Sequence, residues 1–225
     1  MQIPEALDEV TTHDLVQPLA AIKLESDILA RRLRDGSIAP GELAAGLEAI
    51  SDRAGLLAEQ LAFQLSHTDT ETEALHLAPC DLVDLVMAGL TTLRPEELAR
   101  VTLDASSPVP GIWDAVRMKQ LVLNLVSNAL KYGRESVIVT IRATDDAARL
   151  DVEDDGIGLT SEEIAMLFTR GYRSARAAAT GVAGLGFGLS GCRAIVEAHG
   201  GRIWAESRGA GTGSRFSASF PLVAP

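Results

Sequence analysis

The sequence predicts an α+β chain in two parts, a helical hairpin followed by an α/β sandwich, and three features carry that expectation. Apolar residues step by four and three through the first 68 positions. After the polar, acidic stretch SHTDTETEA, short runs rich in β-branched residues alternate with helical segments. The links within those later runs are too short for crossovers, so they predict mostly antiparallel pairing.

Leu15, Leu19, Ile22, Leu29 and Leu33 mark a first helix, and Asp35, Gly36, Ser37 and Pro40 interrupt it. Leu43, Leu47, Ile50, Ala54, Leu57 and Leu61 then mark a second. Residues 1–68 thus read as an antiparallel helical hairpin. Leu24, Ile28, Leu56 and Leu65 widen its apolar stripe beyond what one partner helix covers, which predicts a dimeric four-helix bundle. Residues 69–225 read as a second domain. Helices are expected over Asp81–Leu93, Asp114–Lys131 and Phe187–His199, and strands at SVIVTIRA, ARLDVEDD, GRIWAES and SRFSASFPL.

Composition narrows the function. A net charge of -11 and a pI near 4.8 argue against a nucleic-acid surface or a polybasic membrane anchor. Cys80 and Cys192 form no C-x-x-C pair, so neither a disulfide framework nor a zinc site is expected. No window approaches the ~20 apolar residues of a membrane-spanning helix, and no charged start precedes an apolar run. A soluble chain in the reducing cytoplasm is the expectation.

Three clusters in the second part carry chemistry. In NLVSNALKY, Asn124, Asn128 and Lys131 fall on one helical face. A carboxamide oxygen suits magnesium and an ammonium suits a phosphate, although a solvent-facing polar stripe has the same pattern. In DDGIGL, Gly156 and Gly158 permit a tight turn, and an ionised Asp154 can accept from an exocyclic amine such as adenine's; an ordinary acidic turn reads alike. In GLGFGLS, Gly184, Gly186 and Gly188 open a helix whose N-terminal amides attract phosphate, or form only a helix-entry turn. No strand precedes this last cluster, which excludes a Rossmann reading.

Taken in order, the asparagine helix, D-x-G-x-G, LFTRGYR, the small-residue loop, G-x-G-x-G, EAHGGRIW and GTGSRFSASFP resemble the catalytic half of two-component sensor histidine kinases. THDLVQPLAAI resembles the phosphoacceptor box of the same family, so the resemblance spans essentially the whole chain. It implies a GHKL (Bergerat) ATP-binding domain with a mixed sheet covered on one face by helices, and a lid over about Thr169 to Gly186 without secondary structure. It also implies the cofactors ATP and Mg2+, a homodimer, and a response regulator receiver domain as partner. His13 would take the γ-phosphoryl group, its imidazole neutral because histidine titrates near ~6.5. Asp14 would fix its tautomer, and Pro18 would bend the helix beyond it. Asn128 would hold magnesium with Asn124 in support, Lys131 and Tyr132 would meet phosphate and nucleotide, and Asp154 would bind adenine, with Gly156 and Gly158 shaping that wall. Phe168 would anchor the lid or simply fill core, and the three glycines from Gly184 to Gly188 would let backbone approach the phosphates.

The sequence departs from the family pattern at Val16 and Gln17, three and four positions after His13. Gln17, one turn from His13, would orient a water that dephosphorylates the regulator. His199 with Gly200 and Gly201 reads as a helix cap and turn, while His67 and His76 read as solvent or linker residues. Two alternatives stay open: a histidine phosphotransferase relay with a decayed ATP domain, and a GHKL ATPase that clamps a partner. The chain is expected to be a stand-alone kinase or the catalytic fragment of a larger sensor.

Overall fold

The computed structural model describes the backbone of residues 9–69, 75–105, 107–144, 146–182 and 186–222, which fall into two compact units. The first holds α1 (Glu9–Arg34) and α2 (Pro40–Asp69). Three arginines end α1 and Glu42 opens α2, so each charge suits the helix dipole it meets. Gly36, at φ 65°, makes the turn. The Glu42 carboxylate accepts from Arg32 at 2.7 Å and from the Ala39 amide at 3.3 Å, closing the junction. Farther from the turn, Gly46 lies against Leu29 and Arg53 pairs with Glu25, contacts that recede in step along two helices running in opposite directions. Leu57 is buried, whereas Leu19, Leu24, Ile28, Leu33 and Leu47 are exposed. The helix runs uninterrupted through Pro18.

The second unit begins with β1 (Ala78–Asp81), α3 (Leu82–Leu90), α4 (Pro95–Leu98), β2 (Val101–Ala105) and β3 (Pro110–Trp113). It continues with α5 (Ala115–Tyr132), β4 (Val137–Ala143), β5 (Ala147–Asp154), α6 (Ser161–Met166) and α7 (Ala175–Ala179). It closes with α8 (Gly188–Ala198), β6 (Arg202–Glu206) and β7 (Ser214–Pro221). β1 and β3 form a two-stranded ribbon, and the main sheet has the order β2-β4-β5-β7-β6. Only the β2–β4 pair in that sheet is parallel. The short links indeed give antiparallel pairs, Val137 opposite Asp154 and Arg202 opposite Ser219. β1, β2 and β3 were not expected: they are four or five residues long and carry Pro79, Asp104, Pro110 and Gly111, which obscure strand alternation.

Alternation decides which face is covered. Val137, Val139 and Ile141 of β4, Leu150 and Val152 of β5, and Phe216, Ala218 and Phe220 of β7 point inward against α5 and α8. Each large side chain contributes about 1.5–3 kcal/mol on burial. The opposite face is a polar lattice in which Arg215 meets Glu153, Arg149 meets Asp151, and Arg149 also stacks on Trp204. The helices therefore lie on one side.

Both ends of α5 are pinned. Asp114 caps its start, one carboxylate oxygen accepting from the amides of Val116 and Arg117 and the other from the amide of His76 at 3.0 Å. The Asp114 amide in turn donates to His199 Nε2 at 3.0 Å, while His199 Nδ1 donates to the Ile195 carbonyl, so this imidazole caps α8 and joins it to α5. At the far end, Arg100 donates to the carbonyls of Leu130, Gly133, Arg134 and Glu135. One correction concerns the stretch from Thr169 to Gly186, expected to lack secondary structure. It contains α7, because Ser174 accepts from the Ala177 amide at 3.1 Å and the run ARAAA has high helix propensity. Among the described residues no helix is long and apolar enough to cross a membrane.

Candidate functional site

At the end of β5 the chain turns through Asp154, Asp155, Gly156, Ile157 and Gly158. Asp154 is 6% exposed; its Oδ1 accepts from the Gly156 amide at 2.8 Å and its Oδ2 from Ser214 Oγ at 2.5 Å. A carboxylate has about four acceptor positions, so capacity is left for a ligand's donor. Burial pushes the Asp154 carboxyl above its usual value despite these donors. Its neighbour Asp155 has the opposite task. It accepts from the amides of Arg134, Glu135 and Ser136, which outweigh desolvation and hold its carboxyl below the usual range.

The loop needs its glycines because backbone packs on backbone. A Cβ at Gly156 would collide with the Tyr132 carbonyl, and one at Gly213, where φ is 74°, with the Asp154 carbonyl. The Ile157 amide donates to Tyr132 O at 3.2 Å and the Gly213 amide to Gly156 O at 3.1 Å. Asp154, Gly156, Gly158 and Tyr132 are thus brought together at the junction of α5, β5 and β7.

The remaining expected residues are distributed around this junction. Asn124 and Asn128 are half-buried on α5, and Asn124 lies near the thiol of Cys192 on α8, which burial pushes up to about 12. Lys131 is exposed and lines a cleft of about 490 Å³ with Leu93, Arg94, Glu97 and Arg100, to which neither asparagine nor Asp154 contributes. Phe168 is half-buried against the core after α6. Gly186, at φ 76°, sits where a Cβ would meet the carbonyl of Tyr172, and Gly188 starts α8 with open space beside it. Gly184 lies outside the described residues. The backbone of His13, Asp14 and Gln17 is helical within α1, and their side chains lie outside the described residues.

Three functional neighbours escaped the sequence reading: Ser214 and Gly213, which complete the Asp154 cradle, and Asp155, which ties it to α5. GTGSRFSASFP is legible as a pattern, but only the β5–β7 register, Asp154 opposite Ser214, gives its serine a task.

An α/β sandwich with one covered sheet face and a buried acid in a glycine cradle suits a nucleotide-binding class. Residues 113–224 match the family described as histidine kinase-, DNA gyrase B-, and HSP90-like ATPase. The adaptive-response sensory kinase SasA of Synechococcus elongatus is 29% identical over 97% of this chain and 59% of its own length. The histidine protein kinase DivJ of Caulobacter vibrioides is 35% identical over 95% of this chain and 37% of its own. The structure of full-length ShkA in complex with AMPPNP superposes with a TM-score of 0.66 at 23% identity, covering 95% of this chain and 46% of ShkA. Residues 113–224 thus match an ATP-binding family, and over nearly its full length the chain is similar to sensory histidine kinases. It spans about half the length of the curated relatives it matches.

Proposed function

We propose that the chain is an ATP-dependent protein histidine kinase that phosphorylates His13 and passes the group to an aspartate of a response regulator receiver domain. In this reading residues 1–68 are the phosphoacceptor hairpin, which dimerises into a four-helix bundle, and residues 69–225 bind ATP. The observation that carries it is the Asp154 cradle: a buried carboxylate that takes donors from Gly156 and Ser214 and keeps acceptor capacity to spare suits the exocyclic amine of adenine. The intact cradle speaks against a relay protein with a decayed ATP domain. Similarity to sensory kinases over 97% of the chain, hairpin included, speaks against a partner-clamping ATPase.

The residues divide the work by chemistry. Asp154 orients the base, Gly156 and Gly158 form the wall beside it, and Tyr132 closes the junction. Lys131, one turn beyond Asn128, places an ammonium for the phosphates, and Gly184, Gly186 and Gly188 let the backbone approach them at the start of α8. The half-buried carboxamide of Asn128 fits a hard cation that arrives with phosphates, which supply the rest of its ligands. Bound there, magnesium would neutralise charge on the phosphates during transfer. The neutral imidazole of His13 attacks the γ-phosphorus, the bond to the β,γ-bridging oxygen breaks, and ADP leaves with that electron pair. Asp14 stabilises the positive charge that develops on the ring. Gln17, a turn away, orients water for the reverse task of dephosphorylating the regulator.

Incubation with γ-labelled ATP and magnesium should place acid-labile, alkali-stable label on the chain, absent from His13→Ala. Nucleotide binding without label would contradict the kinase reading. Phosphatase rates on a phosphorylated regulator should fall in Gln17→Ala; equal rates would remove Gln17 from that step.

A further inference from the structure

Arg176 of α7 joins parts of the site that are distant in sequence. Its Nη2 donates to Glu163 Oε2 at 2.7 Å and its Nε to Glu163 Oε1 at 3.2 Å, a two-pronged pair between α7 and α6. The same guanidinium reaches the carbonyls of Gly158 at 2.8 Å and Ile157 at 3.4 Å, on the loop that carries Asp154. Glu163 is 8% exposed, and its Oε2 also accepts from the Thr160 amide at 2.8 Å, closing the first turn of α6. On the lid side Ser174 caps α7, and Arg173 donates to the carbonyls of Ala177 and Val182. The lid helix is therefore folded upon itself, and Arg176 joins it to both α6 and the Asp154 loop.

We propose that Arg176 is a positioning residue that fastens the lid to the adenine-side loop, so that lid order and base occupancy rise and fall together. The coupling rests on the ATP-site reading above; the fastening itself does not. A planar guanidinium with five donors can serve two carboxylate oxygens and two carbonyls at once, and a lysine ammonium with three donors cannot. Removing Arg176 leaves the Glu163 carboxylate its Thr160 amide donor but breaks the link from α7 to the Gly158 and Ile157 carbonyls, so the lid loses this attachment while α6 keeps its cap.

Trypsin cleavage at Arg170 and Arg173 in the full chain reads lid order directly, with cut sites assigned by mass spectrometry. Without nucleotide, Arg176→Met should raise lid cleavage about tenfold, with Arg176→Lys and Glu163→Gln in between, while the melting temperature of the sheet domain holds. With ATP, Arg176→Met should raise KM for His13 labelling about fivefold and leave kcat within about twofold, the split expected when lost positioning acts on binding. Cleavage of Arg176→Met at the wild-type rate, with normal nucleotide binding, overturns the fastening and leaves the ATP site standing. Faster cleavage in a chain that binds no nucleotide supports the fastening and removes the ATP reading.

Discussion

At the residue scale, the centre of the account is a carboxylate held where ionisation is costly. The Asp154 carboxyl titrates above its unfolded value, so the folded chain binds more protons than the unfolded one in the interval between them. Stability contributed by this group therefore falls as pH rises through that interval and does not return at neutrality. Asp154→Asn removes the buried charge and keeps an acceptor for the Gly156 amide. It should melt no lower than the parent by circular dichroism, yet lose nucleotide affinity at least about tenfold, because the amine of the base then faces a poorer acceptor. Ser214→Ala should act through the same carboxylate. Losing the hydroxyl donor raises the Asp154 carboxyl further, so nucleotide affinity followed as a function of pH should begin to fall on acidification at a higher pH than in the parent.

At the element scale, α5 matters most because its end meets the loop. Desolvation opposes ionisation of Asp114, but the amides of Arg117, His76 and Val116 outweigh it and hold this carboxyl low. Its contribution is present above the unfolded pKa and lost as pH falls through the lowered folded one. Asp114→Ala should cost about 1–2 kcal/mol in urea unfolding at pH 7, and the deficit should shrink towards pH 3. The long helices were legible because their periodicity persists: α5 and α8 were expected within a residue at each end. α3 ends three residues earlier than expected because Thr91 and Thr92 turn their hydroxyls back onto the carbonyls of Ala88 and Gly89. Asp154, Gly156 and Gly158 were readable as a local motif. Ser214 was not, since it meets Asp154 only across the β5–β7 ladder, and α7 was hidden in a run of small residues that signals flexibility as readily as helix.

At the scale of the whole molecule, the chain combines a helical unit with an exposed apolar stripe and an ATPase domain. Leu19, Leu24, Ile28, Leu33 and Leu47 are about half exposed, so covering each with a second copy would add at most about 1.5 kcal/mol. Leu24→Glu with Ile28→Glu should convert a dimer to a monomer in light scattering without changing nucleotide binding. The measurement closest to the central claim is calorimetric titration of the folded chain with a non-hydrolysable ATP analogue and magnesium, run beside Asp154→Asn. The account predicts saturable heat from one site per chain in the parent and none in the variant; no heat in the parent, or equal heat in both, would contradict it.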